Sequence, residues 1–189
     1  IHALQTYYDS YNANIHRGAY RLSYEATDMY DKTRSRLARF IGASDPATVI
    51  FTRNTTESLN LVAQSWGMAN LKSGDEIILT ELEHHSNLVP WFMIAGRTGA
   101  VIKYVPLTED GRLELDQLEA VITKRTRIMS VAHMSNALGT IHDIVRIREI
   151  TKAHNVLLCV DGAQGASHLP VHVEDLDVDF YALSAHKML

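Results

Sequence analysis

The sequence of 189 residues holds one cysteine, Cys159, and a formal net charge of only −4. A single cysteine excludes an intramolecular disulfide framework and fits a reducing compartment, so a cytoplasmic protein is expected. The small charge offers no electrostatic handle for nucleic acid or for an anionic membrane. No apolar run reaches transmembrane length, and no signal-peptide pattern is present. There is no internal repeat and no low-complexity stretch. No Gly-rich Walker loop ending in Gly-Lys-Ser/Thr and no Gly-x-Gly-x-x-Gly turn occurs, which argues against an NTP or a dinucleotide. Without Cys-x-x-Cys or His-Glu-x-x-His there is no zinc signature, and no metal is expected. Neither Ile1 nor Leu189 reads as a natural terminus, so the chain is expected to be a fragment of a longer protein.

What is present is an ordinary globular composition, 46% hydrophobic and 21% charged, enough for one α/β domain with a real core. Residues 1–19 are polar and turn-rich and read as an arm or loop. A long helix is predicted from Ser23, its N-cap, to Ile41, with Gly42 as the stop. Residues 1–42 are therefore taken as an N-terminal arm and helix, and 43–189 as the main domain. Strands are predicted at 48–52, 76–80, 101–105, 127–132, 156–160 and 179–183. Helices are predicted at 56–68, 88–97, 115–122 and 143–154. Strands alternating with helices imply an α/β fold whose mostly parallel sheet is covered on both faces. In such sheets ligands bind beyond the carboxyl ends of the strands.

That rule gathers five polar clusters, each just after a predicted strand. They are Arg53-Asn54-Thr55-Thr56, Glu83-His84-His85, His133-Met134-Ser135-Asn136, Asp161-Gly162-Ala163-Gln164 and Ser184-Ala185-His186-Lys187. Lys187 follows an apolar run from Val178 to Leu183. A desolvated lysine at a strand end can have a lowered pKa and form a Schiff base with a carbonyl cofactor. Thr55 and Thr56 precede a helix, where hydroxyls and free N–H groups form a phosphate site. Plain N-capping by a threonine is the competing role. Asp161 reads either as a loop acid or as a carboxylate that keeps a pyridine nitrogen protonated, making that ring an electron sink. Gln164 can donate to a phenolate oxygen on the same ring. His84 and His85 are adjacent and point apart, which suits one imidazole stacked on an aromatic cofactor better than two on one ion. Cys159 sits inside an apolar run, Val156 to Val160, as a core thiol.

Taken together, these clusters resemble the PLP-dependent cysteine desulfurase/selenocysteine lyase family, a fold type I branch of the class V aminotransferases. The likeness is strongest to its Suf-type (SufS-like, group II) members. It rests on Asn14-Ile-His16-Arg-Gly18, Thr52 to Glu57, Glu83-His-His-Ser-Asn-Leu-Val-Pro-Trp91, His133 to Asn136, Asp161 to Gln164 and Ser184 to Lys187, in family order. The resemblance implies a fold type I large domain over residues 43–189, an α/β/α layering of a mostly parallel mixed sheet. The family's C-terminal small domain would lie outside the chain. It implies pyridoxal 5′-phosphate on Lys187 as a Schiff base, with Lys187 also moving protons. Asp161 would pair with the pyridine nitrogen, Gln164 with the ring oxygen, and His84 would stack on the ring. Thr55, Thr56, Ser184 and His186 would hold the phosphate. Asn136 would contact the substrate carboxylate and His16 would border the substrate pocket.

The implied activity converts L-cysteine to L-alanine, leaving sulfur as an enzyme-bound persulfide. Sulfur would then pass to an acceptor protein of the SufE or SufU type for iron–sulfur cluster assembly. Family members are homodimers. The persulfide cysteine, the substrate-carboxylate arginine and the Gly-rich run after the lysine are expected beyond Leu189, so the fragment alone is expected to be inactive. Three other readings remain open. One is a selenocysteine lyase acting on L-selenocysteine, or another enzyme of the class. Another is a non-catalytic PLP-binding scaffold. The third is a metallohydrolase on His84, His85, His133 and Asp161.

Overall fold

In the computed structural model, which describes residues 1–188, the chain divides into two units, Ile1–Ile50 and Phe51–Leu189. The first unit takes in residues 43–50, against the expected boundary after residue 42. It opens with a helix where an arm was expected: α1 (His2–Thr6) runs on into a π-type turn, Tyr7–Tyr11. The Thr6 hydroxyl donates back to the His2 carbonyl at 2.9 Å, and Tyr7 meets Tyr11 edge-on at 5.5 Å, contacts that favour a coiled over an extended arm. Helix α2 (Arg21–Phe40) begins before Ser23, and Tyr20 is its N-cap. Ser23 instead secures the loop ahead of it, accepting from the Gly18 N–H at 3.1 Å and donating to the Asn14 carbonyl at 2.6 Å. Gly42 ends the helix as predicted, at φ 69°. The strand predicted at 48–52 does not form. Asp45 caps a 3-10 turn, Pro46–Thr48, by accepting from the Ala47 N–H at 2.8 Å, and the chain then runs on without a strand partner.

The second unit is built on a sheet of β1 (Glu76–Thr80), β2 (Val101–Val105), β3 (Thr126–Ala132), β4 (Leu157–Asp161) and β5 (Phe180–Ala182). The strand order is β2-β1-β3-β4-β5, and each of these strands pairs with its neighbour in parallel. The antiparallel member that a mixed sheet requires is not among these strands. Successive side chains on each strand serve opposite faces. Ile78, Met129, Val131, Leu158 and Val160 pack under α6 (Leu115–Val121) and α7 (Ile144–Ala153). Ile77, Leu79, Ile128 and Cys159 pack under α3 (Thr55–Val62) and α5 (His85–Thr98), which the single-turn α4 (Met68–Asn70) separates in sequence. Trp91 and Ile94 of α5 are fully buried there. Truncating the tryptophan costs roughly 3–5 kcal/mol by the usual core scale.

The order of strands positions the site. From β1 the chain goes outward to β2, then returns across β1 to lay down β3 on the other side. The crevice at such a reversal, beyond the strand ends, is where open α/β sheets take ligands.

Candidate active site

The site starts at the N-terminus of α3. Asn54 is the cap, its Oδ1 accepting from the Glu57 N–H at 3.0 Å, while the Glu57 carboxylate accepts from the Arg53 N–H at 2.5 Å. An asparagine cap, with Glu57 reaching back to the residue before it, corrects the reading of a threonine cap and leaves both threonines free for other work. Thr55 meets Ser184 twice, through its N–H at 2.8 Å and its hydroxyl at 2.7 Å. A contact between residues so far apart in sequence joins the start of α3 to the end of β5.

Asp161 closes β4 and is 5% exposed. Its Oδ1 accepts from the Ala163 N–H at 3.0 Å. Burial pushes the carboxyl above its ordinary range, while the Ala163 N–H, Lys187 and His84 pull it back. No lysine or arginine stands near Asp161 in sequence, yet the fold brings Lys187 and the His84 ring to it. Lys187 ends a 3-10 turn, Ala185–Lys187, after β5. Its side chain is exposed rather than desolvated, which corrects the burial expected of it.

His84 is the N-cap of α5, and its Nδ1 accepts from the Ser86 N–H at 3.1 Å with the Ser86 hydroxyl at 2.8 Å. An accepting Nδ1 puts the proton of the neutral ring on Nε2. His85 projects elsewhere, its ring 6.2 Å from that of His84 at 74°. Asn136 is offered by a turn that Ser135 braces, its hydroxyl accepting from the Ala137 and Leu138 N–H groups at 3.3 and 3.2 Å.

These elements surround one cleft of about 580 Å³. Every residue expected to hold cofactor or substrate lines it except His16. His16 belongs to the first unit, where its N–H donates to the Thr27 hydroxyl at 2.9 Å. Asn54, Ser86, Ala132, Met134 and Ala163 also line the cleft and went unassigned in the sequence. Only Asn54 left a signal, the Asn-x-x-Glu spacing of a capping box. His133 does not reach the cleft. It is buried, with Nδ1 2.9 Å from the Tyr181 hydroxyl, and burial holds its ring below the ordinary histidine range. Glycine is required beside it: a Cβ on Gly162 would lie 2.1 Å from the Tyr181 ring, and one on Gly165 would lie 2.8 Å from His133. Among the described residues no group of three or more His, Cys, Asp or Glu is placed to hold a metal, so the four metallohydrolase candidates do not converge.

A sheet with a reversal in strand order, a hydroxyl and amide corner, a buried carboxylate and a lysine beyond the last strand describe a class of cofactor-binding transferase fold. The chain belongs to the class-V aminotransferase family, whose model matches residues 1–189. Within that family, relatives 44–48% identical to it are named probable cysteine desulfurases. A probable cysteine desulfurase of Halalkalibacterium halodurans is 47% identical over 188 residues, all of this chain and 46% of that protein. The apo cysteine desulfurase of Thermococcus onnurineus NA1 superimposes with a TM-score of 0.93 at 42% identity, over 99% of this chain and 46% of that one. The cysteine desulfurase CsdA of Escherichia coli gives 0.88 at 41%, over 98% and 47%. Two more distant structures are described with ligands. They are SspA in complex with cysteine, at 25% identity and TM-score 0.90, and a C-DES mutant with glycine covalently linked to its PLP cofactor, at 26% and 0.81. The chain thus spans about half the length of the proteins it matches.

Proposed function

We propose that the protein carrying this chain is a PLP-dependent cysteine desulfurase that takes sulfur from L-cysteine and releases L-alanine. The observation that carries the reading is the convergence of Lys187, Asp161 and His84 with the Thr55–Ser184 corner on one cleft. The residues fit pyridoxal 5′-phosphate. The first-turn N–H groups of α3 have no partner inside the helix, and hydroxyls of Thr55 and Ser184 stand beside them, a donor set for a phosphate. His186 and Thr56 line the same end.

When bound, the cofactor supplies a carbonyl that captures an amine and a ring that draws electrons from the substrate's Cα. The protein's part is positional and electrostatic. Lys187 carries the cofactor and, once released, takes and returns the Cα proton. Asp161, buried and backed by one N–H, offers its carboxylate to a positive ring nitrogen. Gln164 donates to the ring oxygen. His84 covers the ring and presents Nε2 for proton transfer. Asn136 holds the substrate carboxylate. Cys159 is not the persulfide carrier: it is fully buried, and burial pushes its thiol up to about 12. That carrier belongs to another cysteine of the whole protein. The reading extends to a cytoplasmic homodimer that hands sulfur to a SufE- or SufU-type acceptor, with L-selenocysteine as the alternative substrate.

Borohydride reduction of the cofactor-loaded whole protein, followed by peptide mapping, is the test. The pyridoxyl adduct is expected on Lys187. An adduct on Lys72 or Lys103 overturns the assignment.

A further inference from the structure

The parallel pairing of β1 with β3 runs from Glu76↔Thr126 to Ile78↔Met129, although β1 continues to Thr80 and β3 to Ala132. Where the two strands part, backbone N–H groups lose their strand partners and need others. The Ala132 N–H finds Glu83, donating to Oε1 at 3.0 Å. The Thr80 hydroxyl donates to the same oxygen at 2.6 Å while accepting from the Leu82 N–H at 3.2 Å. Oε2 accepts from Asn87 Nδ2 at 2.6 Å.

The direction of these bonds is fixed from the far end of the network. Trp91 Nε1–H can only donate, and it meets Asn87 Oδ1 at 3.3 Å. The Ser130 hydroxyl donates to that oxygen as well, at 2.6 Å. Asn87 must therefore turn its NH₂ toward Glu83. Each Glu83 oxygen then faces one group that can only donate, Oε1 the Ala132 N–H and Oε2 the Asn87 NH₂, which suits a carboxylate, leaves no place for an amide and gives an acid proton only the Thr80 hydroxyl to meet. Glu83 is 7% exposed and makes no ion pair among the described residues. Burying an unpaired charge is costly, so a purely structural clamp is better served by neutral groups. What a neutral clamp cannot supply is negative charge beside the cleft. Ala132, which Glu83 grips, is the register partner of Asp161, and the next N–H, from His133, donates to the Asp161 carbonyl at 2.9 Å.

We infer that Glu83 is a positioning residue: its ionised carboxylate fixes the backbone that presents His84 and sets a second buried negative charge behind Asp161. The pair raises the proton affinity of a base held against Asp161. The inference rests on the proposed function only for the identity of that base, a pyridine nitrogen. The titratable groups that face Glu83 are Asp161 and Cys159, both on β4. From β1, β3 and α5 it meets only the neutral Thr80, Ala132 and Asn87. Burial pushes the Glu83 carboxyl up to about 7 against the pull of its three donors, and the charge of Asp161 adds to the rise.

The experiment follows the pH midpoint of the cofactor's visible absorption band in the loaded whole protein. Glu83→Gln removes the charge and sets one NH₂ against another at Asn87. The double variant Glu83→Gln/Asn87→Asp restores the match of donors to acceptors and returns the charge one side chain away. The midpoint is expected to fall by at least about 0.5 pH unit in Glu83→Gln and to recover in the double variant, as for the loss and return of a nearby charge. kcat should fall while KM changes little. A merely structural Glu83 gives a less stable Glu83→Gln protein with an unmoved midpoint, which overturns the inference. Isotope-edited infrared spectra of the apoprotein, with the glutamate band assigned against the double variant, judge the case in which Glu83→Gln does not fold. Glu83 should be ionised at about pH 8, above its burial-raised range. A protonated Glu83 there also overturns the inference. A wild-type protein that takes up no visible cofactor sinks the proposed function instead, and Glu83 is then decided by the infrared result alone.

Discussion

The two rims of the sheet use the same residue types to opposite ends. At the amino rim, buried Glu76 stands 3.7 Å from Lys103, with the Thr123 and Thr126 hydroxyls donating to it at 2.7 and 3.0 Å. Asp75 pairs with Arg127 at 2.9 Å, and Asp179 with Arg148 at 2.8 Å. Burial pushes the Glu76 carboxyl up, yet the two hydroxyls, Lys103 and Arg125 outweigh it and leave it below its ordinary value. At the carboxyl rim, Glu83 and Asp161 make no ion pair among the described residues, and for both of them burial wins. A rim whose task is to hold strands together neutralises its acids. A rim whose task is to bind leaves negative charge uncompensated for a ligand to meet, which is why perturbed carboxyls cluster at functional sites.

The sharpest break between the rims is a pair of like substitutions in the whole protein. Asp161→Asn keeps the Ala163 hydrogen bond within reach but removes the charge. Turnover should drop by roughly 10²–10³-fold, the scale of a lost electrostatic stabiliser, with little change in melting temperature. Asp179→Asn weakens its contacts to Arg148 and to the Leu158 N–H. It should cost about 1 kcal/mol of stability and leave turnover within about two-fold. Equal losses of turnover from the two would erase the distinction. A second pair acts within the carboxyl rim alone. His84→Ala should change the cofactor's spectrum and slow turnover by roughly 10²-fold or more, as for a positioned proton carrier. His85→Ala, whose ring lies outside the cleft, should leave the spectrum unchanged.

Much of this was legible because the strands are short, apolar and bounded. The runs at 76–80 and 101–105 form as predicted, and the last three strands lie within a residue or so of their predicted ends. The rule that ligands gather at carboxyl ends collected Thr55, His84, Asn136, Asp161, Gln164 and Lys187, and the structure sets them around one cleft. What periodicity could not give was partnership. The apolar run at 48–52 has the look of a strand but is not among the five that form the sheet. His133 sits in the right cluster, but Tyr181 takes its ring away from the cleft. Glu83 looked like a polar neighbour of two histidines, because nothing local reveals that Ala132 loses its strand partner there. The donors that surround it come from three other elements.

The pH dependence of stability should separate the rims by sign. Glu83 rises from 4.5 to about 7 in the folded protein, so the folded state holds its proton more tightly than the unfolded chain does. That contribution is fully present below about 4.5 and is lost as pH rises through about 7, a change of roughly 3 kcal/mol at 1.36 kcal/mol per unit. Asp161 acts in the same direction. Glu76 is depressed, so its contribution is present above its unfolded value and is lost as pH falls through the folded one. In the apoprotein, Glu83→Gln should therefore gain on the wild type as pH rises from 4.5 to about 7. Glu76→Gln should lose most at neutral pH and close the gap on acidification. Melting curves across that range read both, and parallel slopes would sink the comparison.

The smallest expected effect lies between the rims, in the middle of the sheet. Cys159 is fully buried on the α3/α5 face, paired in register with Ser130 on β3 and Phe180 on β5. Ser130 hydrogen-bonds with it while donating its own proton to Asn87 at 2.6 Å, a bond that does not depend on the thiol. A buried thiol behaves as a small apolar group, and trimming it to alanine leaves a void of a single sulfur atom. Cys159→Ala should cost on the order of 1 kcal/mol, which for a domain of this size lowers the melting temperature by about 2–4 °C. Turnover, persulfide formation and the midpoint of the cofactor band should be unmoved, because the Glu83–Asn87–Ser130 network keeps all its partners. Loss of persulfide with the fold intact would show that the thiol reaches the substrate after all, and that the buried middle of this sheet opens during the reaction.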